Sequence, residues 1–419
     1  MIWDSKLESG CERGAIDLSV FPIMMVEMNR REFLFAAPVA SIAPSLMAAH
    51  HSARRAAVIG HTGRGNYGHG LDVVWRRVPG VEIVGVADPN MEGLGKSMTR
   101  LKVDHGYADY RKMLSEMRPE FVSVAPRHPD QHMEMTLAAI KAGVKGIYVE
   151  KPFCRTPSEG DRIIEAANRE GTKIAVAHRN RYHPALPVIN RLVEEGAIGR
   201  LLELQGYGKG DRRGGGEDLW VLGGHVFNLF EYFGGGPKAC SAIVLQDGKP
   251  VAKEDVVEGA ENLGLLAGNE IHAKWRLESG LMCSYKTFTY DGSEGEGYSA
   301  HLVGTEGTIT LRIDGNPLAW FTPGSAANPK SRANERIPIT SAGLGQKETR
   351  SKDVENVKNH VLPILDLIDA VDQNRQPLCD ARQGVLAVEM ICSVFESHLQ
   401  NGAFVPFPLV ERGNPFARY

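Results

Sequence analysis

Residues 149–157 read VEKPFCRTP, so Glu150, Lys151 and Pro152 stand directly after the apolar run Gly146–Val149. Lysine is almost never fully buried unless it is paired. An ammonium at the end of a buried strand is either a surface accident or a placed reagent, and the surrounding elements decide which. Other reactive residue types gather at similar places. In AHRNRYHP, His178 closes a strand and is followed by Arg179, Tyr182 and His183, while Pro126 and His132 flank another strand end. Such donors and acceptors suit a hydroxyl-rich ligand. His225 sits in GGHVFNL, and Glu217 and Asp218 in the glycine-rich GGGEDLW. A divalent cation held by His178, His225 and Glu217 or Asp218 is an alternative use of these groups, although no compact ligand spacing supports it.

The stretch GHTGRGNYG begins at Gly60 and allows two registers. Gly63-x-Gly65-x-x-Gly68 is a literal G-x-G-x-x-G that starts beyond the preceding strand. Gly60-x-Thr62-x-x-Gly65 starts at the strand end, where a dinucleotide turn needs it. The second is favoured, with Gly63 allowing close backbone approach and Arg64 beside it. In either register, backbone N–H groups and the N-terminus of a helix expected over GLDVVWRRVPG (70–80) face a pyrophosphate. Asp88 closes the next strand, about 20 residues on, where a carboxylate accepts from an adenosine ribose and repels a 2′-phosphate. That pattern favours NAD over NADP.

These groups need elements to hold them. From Arg55 onward, strand-like runs (AAVIG, VEIVGVADPN, FVSVAPRHPD, KGIYVEKP, KIAVAHRNRYHP) alternate with helical ones. The helix SEGDRIIEAANREG is expected to open on Ser158 as N-cap. The alternation implies βαβ units and a doubly wound parallel sheet, whose ligands sit beyond the carboxyl ends of the strands. Lys151 then faces the cleft. After Pro184 longer, partly alternating runs suit a large, mostly antiparallel open sheet with helices on one face. The fold class is α/β, with a Rossmann domain over 55–180 and a second α/β domain over 181–419. Residues 322–355 read as a surface excursion. A length of 419 residues and a net charge of −3 suit two domains, and the lack of a basic block argues against nucleic acid as a partner. The six cysteines show no C-x-x-C pair.

The motifs VIGHTGRG, VADP, VEKP, RNRYHP…EEGAIGRL, GGHVFNL, VGTEGTITL and VPFP, in this order, resemble the glucose–fructose oxidoreductase / inositol dehydrogenase (Gfo/Idh/MocA) family from about residue 55 to 410. The resemblance implies that Lys151 touches both a substrate hydroxyl and the cofactor, and that His225 serves as acid–base. It also implies a C-terminal sheet that mediates homo-oligomerisation. Inositol dehydrogenase-like members carry Asp four residues before that histidine, where this chain has Val221. Glu217 or Asp218 is the expected substitute, brought to the cleft by Gly214–Gly216, and either of these or Tyr182 is the group expected to act on a leaving group. The expected activity is NAD-dependent oxidation of a sugar, polyol or glycoside. The alternatives are a glycoside-cleaving hydrolase or lyase, using transient oxidation or metal-activated water, and a non-catalytic sugar-binding protein.

The segment from Met28, MNRREFLFAAPVASIAPSLMAAHH, resembles a twin-arginine export signal with Arg30 and Arg31 as the pair. Pro38 and Pro44 interrupt its apolar run, which argues against stable membrane insertion. Residues 1–54 are expected to be leader, with a natural start at Met28 and a periplasmic or otherwise exported product. Because free NAD is not expected there, the cofactor is expected to be tightly bound and regenerated in each cycle. Replacing Arg30 and Arg31 together by Lys is expected to retain the precursor in the cytoplasm, because a receptor reads the pair rather than its charge. Cell fractionation checks this, and normal export of the double variant would refute the signal.

Overall fold

The apolar runs of the first half pack as parallel strands: β1 (Arg54–Ile59), β2 (Val81–Ala87), β3 (Gly106–Tyr107), β4 (Phe121–Val124), β5 (Gly146–Val149) and β6 (Lys173–Val176), in the order β3-β2-β1-β4-β5-β6. This computed structural model describes residues 53–293, 295–328 and 335–419, so the arginine pair and the rest of the expected leader lie outside it. Every residue of β4 and β5 is buried, as a sheet covered on both faces requires. Helices Met91–Leu101, Tyr110–Met117, His132–Lys141 and Pro157–Glu170 connect the strands. Asn90 caps the first of these by accepting from Gly93 N at 2.9 Å. The last is capped by Thr156, which accepts from Glu159 N, rather than by Ser158, because Pro157 takes the first helical position.

One expected helix does not form. After β1 the chain runs through turns, and only Val74–Arg77 makes a short 3-10 segment. Leu71, Val74 and Trp75 are fully buried, and the Trp75 indole N–H donates to Ser123 Oγ at 2.7 Å. Burying these residues in a segment bounded by Gly70 and Pro79-Gly80 takes precedence over helical spacing.

The second half forms an eleven-stranded sheet. Its central strands are Leu201–Tyr207, Met282–Phe288, Glu270–Leu277 and Pro237–Gln246, and the first two pair parallel while the remaining neighbours pair antiparallel. Alternation sets its faces: Ile271, Ala273, Trp275 and Leu277 point inward, and His272, Lys274 and Arg276 outward. Helices Gly224–Gly234 and Ala381–Leu399 cover the inner face, where Phe227 packs 5.1 Å from both Trp275 and Tyr285. The expected excursion over 322–355 adds strands Ile337–Thr340 and Gly343–Leu344 to one edge. Helix Val361–Asp372 then returns to pack against β5 and β6.

Candidate active site

β5 ends on two charged residues with opposite needs. Glu150 is fully buried, which on its own would raise its carboxyl; hydrogen bonding to His69 and the charges of His69 and Lys151 overcome this and hold it at about 2. Its oxygens accept from the amides of Lys151 (2.9 Å) and His69 (3.2 Å) and contact His69 Nδ1 at 3.0 Å. Gly68 makes this possible: its φ is +60°, and a Cβ there would lie 2.5 Å from Glu150 Oε2. Lys151 is buried too, and its Nζ donates to the Val221 carbonyl at 3.1 Å. Burial lowers its pKa, against the pull of Glu150, Glu261 and Asp314. Val221 belongs to a π-helical turn, Leu219–Gly223, that leads into helix Gly224–Gly234.

His225 lies in the first turn of that helix, and its ring meets His178, just beyond β6, edge to face at 5.2 Å. The Nδ1 atoms of both are buried without a hydrogen-bond partner. Burial and the nearby Lys151 push His225 well down and His178 to about 3, so both rings are neutral. His360, just before helix Val361–Asp372, completes the group; its Nδ1 lies 2.6 Å from the Tyr148 hydroxyl, and its Nε2 is unpartnered. Lys151, His225 and His360 line a cavity of about 80 Å³ rimmed by Arg179 and Asp314, which pair at 2.9 Å. Clefts of about 310 and 300 Å³ adjoin it, sharing Asp314 in their walls. A larger cleft of about 570 Å³ lies between helices Tyr110–Met117 and His132–Lys141, where Pro119 and Gly143 mark the amino ends of the strands, opposite the reactive groups.

The glycine-rich turn lies at the carboxyl end of β1, beside the order reversal between β1 and β4, where a doubly wound sheet takes its ligand. Gly63 has φ +89°, and a Cβ there would meet nothing within 4 Å, which leaves the backbone open to close approach. No α-helix follows, so the expected helix N-terminus is missing and the turn's own backbone must serve the phosphates. Arg64 pairs with Asp130. Asp88 is fully buried, and its carboxylate accepts from Thr62 N (3.1 Å), Thr62 Oγ1 (2.6 Å), Tyr67 Oη (2.8 Å) and Asn90 N (2.9 Å). The residues fit a nicotinamide dinucleotide with one exchange: a ribose bonds Asp88 only by displacing the Thr62 or Tyr67 hydroxyl.

Several expected residues stand elsewhere. The Tyr182 hydroxyl donates to Asp366 at 3.1 Å and accepts from Cys379 N at 3.2 Å, so it is held away from the cavity. Asp218 is fully buried and accepts from Thr287 (2.6 Å), Tyr285 (3.0 Å) and the Lys209 amide. Glu217 faces Arg212 at 3.9 Å. The glycines before them do not swing these acids inward, because Gly215 packs so closely that a Cβ would lie 2.1 Å from Gly268 O. Among the described residues, no three His, Cys, Asp or Glu side chains are grouped to hold a metal ion, so the set of His178, His225 and Glu217 or Asp218 is not assembled. His183 accepts from Ala185 N and lines the 300 Å³ cleft. His132 clamps the two strand-end loops, with ring nitrogens 2.7 Å from Pro126 O and 2.9 Å from Pro152 O. Tyr148, His69, His360 and Asp314 were not expected. His69 follows the glycine motif and Tyr148 precedes VEKP, but nothing local marks His360 or Asp314, which reach the site through tertiary packing.

The sequence profile of the Gfo/Idh/MocA family, described as an oxidoreductase family with an NAD-binding Rossmann fold, matches residues 54–178. Its companion profile for the C-terminal alpha/beta domain matches residues 192–407. The chain belongs to this family. One relative, D-apiose dehydrogenase of Paraburkholderia graminis, is 26% identical over 275 residues, which span 59% of this chain and 69% of that enzyme. Levoglucosan dehydrogenase of Pseudarthrobacter phenanthrenivorans is 32% identical over 122 residues, 29% of this chain and 30% of that enzyme. Among solved structures, a levoglucosan dehydrogenase in complex with NADH and L-sorbose superposes with a TM-score of 0.66 at 19% identity, covering 85% of this chain and 99% of that one. WlbA dehydrogenase from Bordetella pertussis, in complex with NADH and UDP-GlcNAcA, gives a TM-score of 0.62 at 16% identity, covering 86% and 99%. At these identities the likeness is one of fold.

Asp88→Ala removes the acceptor of four protein donors, so it is expected to cost about 3 kcal/mol of stability even without nucleotide. It is also expected to weaken NAD binding and narrow any preference over NADP. Urea unfolding and titration of both nucleotides check this; unchanged stability would mean that the carboxylate is free. The neutral histidines set a pH window. Burial holds His178 at about 3 and His360 at about 4, below the ordinary 6.5. Unfolding below pH 6.5 therefore takes up protons, and their contribution, full above that pH, is lost as pH falls toward 4 and then 3. Melting temperature is expected to fall on acidification from about pH 6.5, less steeply in His360→Gln. A flat profile down to about pH 4.5 would contradict the burial of neutral rings.

Proposed function

We propose that this chain is an NAD-dependent oxidoreductase acting on a hydroxyl-bearing carbon of a sugar, polyol or glycoside. The observation that carries the reading is the meeting of Lys151, from the end of β5, with His225, from the helix over the second sheet, in one cavity at the carboxyl ends of the parallel strands. When bound at these strand ends, NAD supplies the hydride acceptor. The glycine turn over Gly60–Gly65 would hold its phosphates, and Lys151 and His225 would border its reactive end.

The side chains have separable tasks. Lys151 can give up its proton because burial disfavours the ammonium, and its amine is aimed by the Val221 carbonyl. His225 is neutral for the same reason and keeps a nitrogen able to accept a proton. Either can take the hydroxyl proton of a substrate as the adjacent C–H bond breaks. Glu150 balances the charge that Lys151 gains on protonation. Arg179 and Asp314 at the rim offer donors and acceptors to further hydroxyls. Relatives named for D-apiose, levoglucosan and inositol make these three the first compounds to assay.

The exported setting expected from Arg30 and Arg31 supports a tightly held cofactor and a redox-neutral cycle in which hydride returns before product leaves. Absorbance of nucleotide released on denaturation tests the first point. Lys151→Ala is expected to lower turnover by about 10²–10⁴ while leaving the fold and most nucleotide affinity intact. His225→Ala is expected to be comparably damaging, and the pair less than additive because they serve one proton path. Near-normal turnover in Lys151→Ala would end the assignment.

A further inference from the structure

The Tyr148 hydroxyl and the His360 ring form a pair that the proton-transfer scheme does not use. Tyr148 lies within β5, three residues before Lys151, and is fully buried. Among the described residues its hydroxyl has one hydrogen-bond neighbour, His360 Nδ1, at 2.6 Å. His360 is 2% exposed and lines the cavity that also holds Lys151 and His225. Its Nε2, on the other side of the ring, is buried and unpartnered.

A buried hydroxyl must place its proton on an acceptor, and a neutral imidazole has one N–H and one lone pair. Among the described residues Nδ1 of His360 is the one acceptor within reach of the Tyr148 hydroxyl, and a hydroxyl that donates to its lone pair requires the ring proton on Nε2. We propose that His360 is a fixed hydrogen-bond donor to a substrate hydroxyl oxygen, with Tyr148 as the positioning residue that sets its tautomer. The proposal rests on the oxidoreductase reading for the class of ligand. His360 cannot share the base role of Lys151 and His225 while this bond stands: Nδ1 is taken and Nε2 has no lone pair. A cavity lined by Lys151, His225 and His360 thus divides into groups that move a proton and one that only holds an oxygen.

The first test needs no substrate. Nitrogen NMR of ¹⁵N-histidine-labelled protein, with the His360 signals assigned by their loss in His360→Gln, is expected to show a protonated Nε2 and a bare Nδ1. In Tyr148→Phe the two tautomers should mix. A wild-type proton on Nδ1 overturns the proposal. The second test uses levoglucosan, D-apiose and inositol with NAD. A bond made equally in ground and transition states changes KM and spares kcat, so His360→Leu should raise KM about tenfold with kcat little changed. His360→Gln, which keeps an N–H, should recover most of the loss, and Tyr148→Phe should fall between. Unchanged KM in His360→Leu, or a loss confined to kcat, overturns the donor role. Failure of the wild type to convert any of these sugars, followed by product analysis as well as by NADH absorbance, counts against the oxidoreductase reading, whereas the tautomer decides the Tyr148–His360 assignment independently.

Discussion

A lysine withdrawn from water needs an acceptor, and Lys151 finds one in the backbone of the other half of the molecule. The Val221 carbonyl receives its Nζ at 3.1 Å, from a π-helical turn that departs from the usual i→i+4 pairing. Such turns leave a carbonyl for other uses inside a helical run. At Val221, where the resemblance led us to expect an aspartate, the chain offers Lys151 its backbone carbonyl and no side-chain charge. The carbonyl aims the amine, and burial presses it toward its neutral form against the pull of Glu150, Glu261 and Asp314.

The rest of the cavity follows the same rule. Glu150 keeps its charge because two amides and His69 surround it. The imidazoles of His178, His225 and His360 lose theirs because burial outweighs the pull of Glu150 on His178 and of Glu150 and Asp314 on His360. A buried carboxylate, a lysine and neutral rings can exchange a proton with a ligand without leaving an unpaired buried charge. The acids first suspected of filling the missing role are structural. Asp218 ties the strand Met282–Phe288 to the segment before the π turn, and Tyr182 ties its own loop to Asp366 and Cys379.

Strand–helix alternation made the first sheet legible, because buried parallel strands are written as short apolar runs closed by glycine or proline. Lys151, His225 and His178 were legible because each stands beside such an end or in a motif. The turn after β1 was misread: GLDVVWRRVPG has helical spacing, but Leu71, Val74 and Trp75 are drawn into the core, and spacing does not reveal which neighbour a side chain will find. Asp88 was placed correctly on the chain, yet its partners Thr62 and Tyr67 come from the fold of the turn. His360 is set by the return of Val361–Asp372 onto β5 and β6, a contact across about half the chain that no local pattern encodes.

That return has a companion in the long helix Ala381–Leu399. One side of it packs on helix Pro157–Glu170 of the first domain and another on strand Pro237–Gln246 of the second, with the Trp275 indole bonded to Ser393 at 3.0 Å. A boundary drawn in sequence near residue 180 is therefore bridged by this helix. Both halves cover part of their core with this one helix, so loosening it exposes apolar surface on each side. A clamp of this kind leaves little scope for the halves to swing apart about a hinge, and places the burden of admitting a ligand on the loops around the cavity.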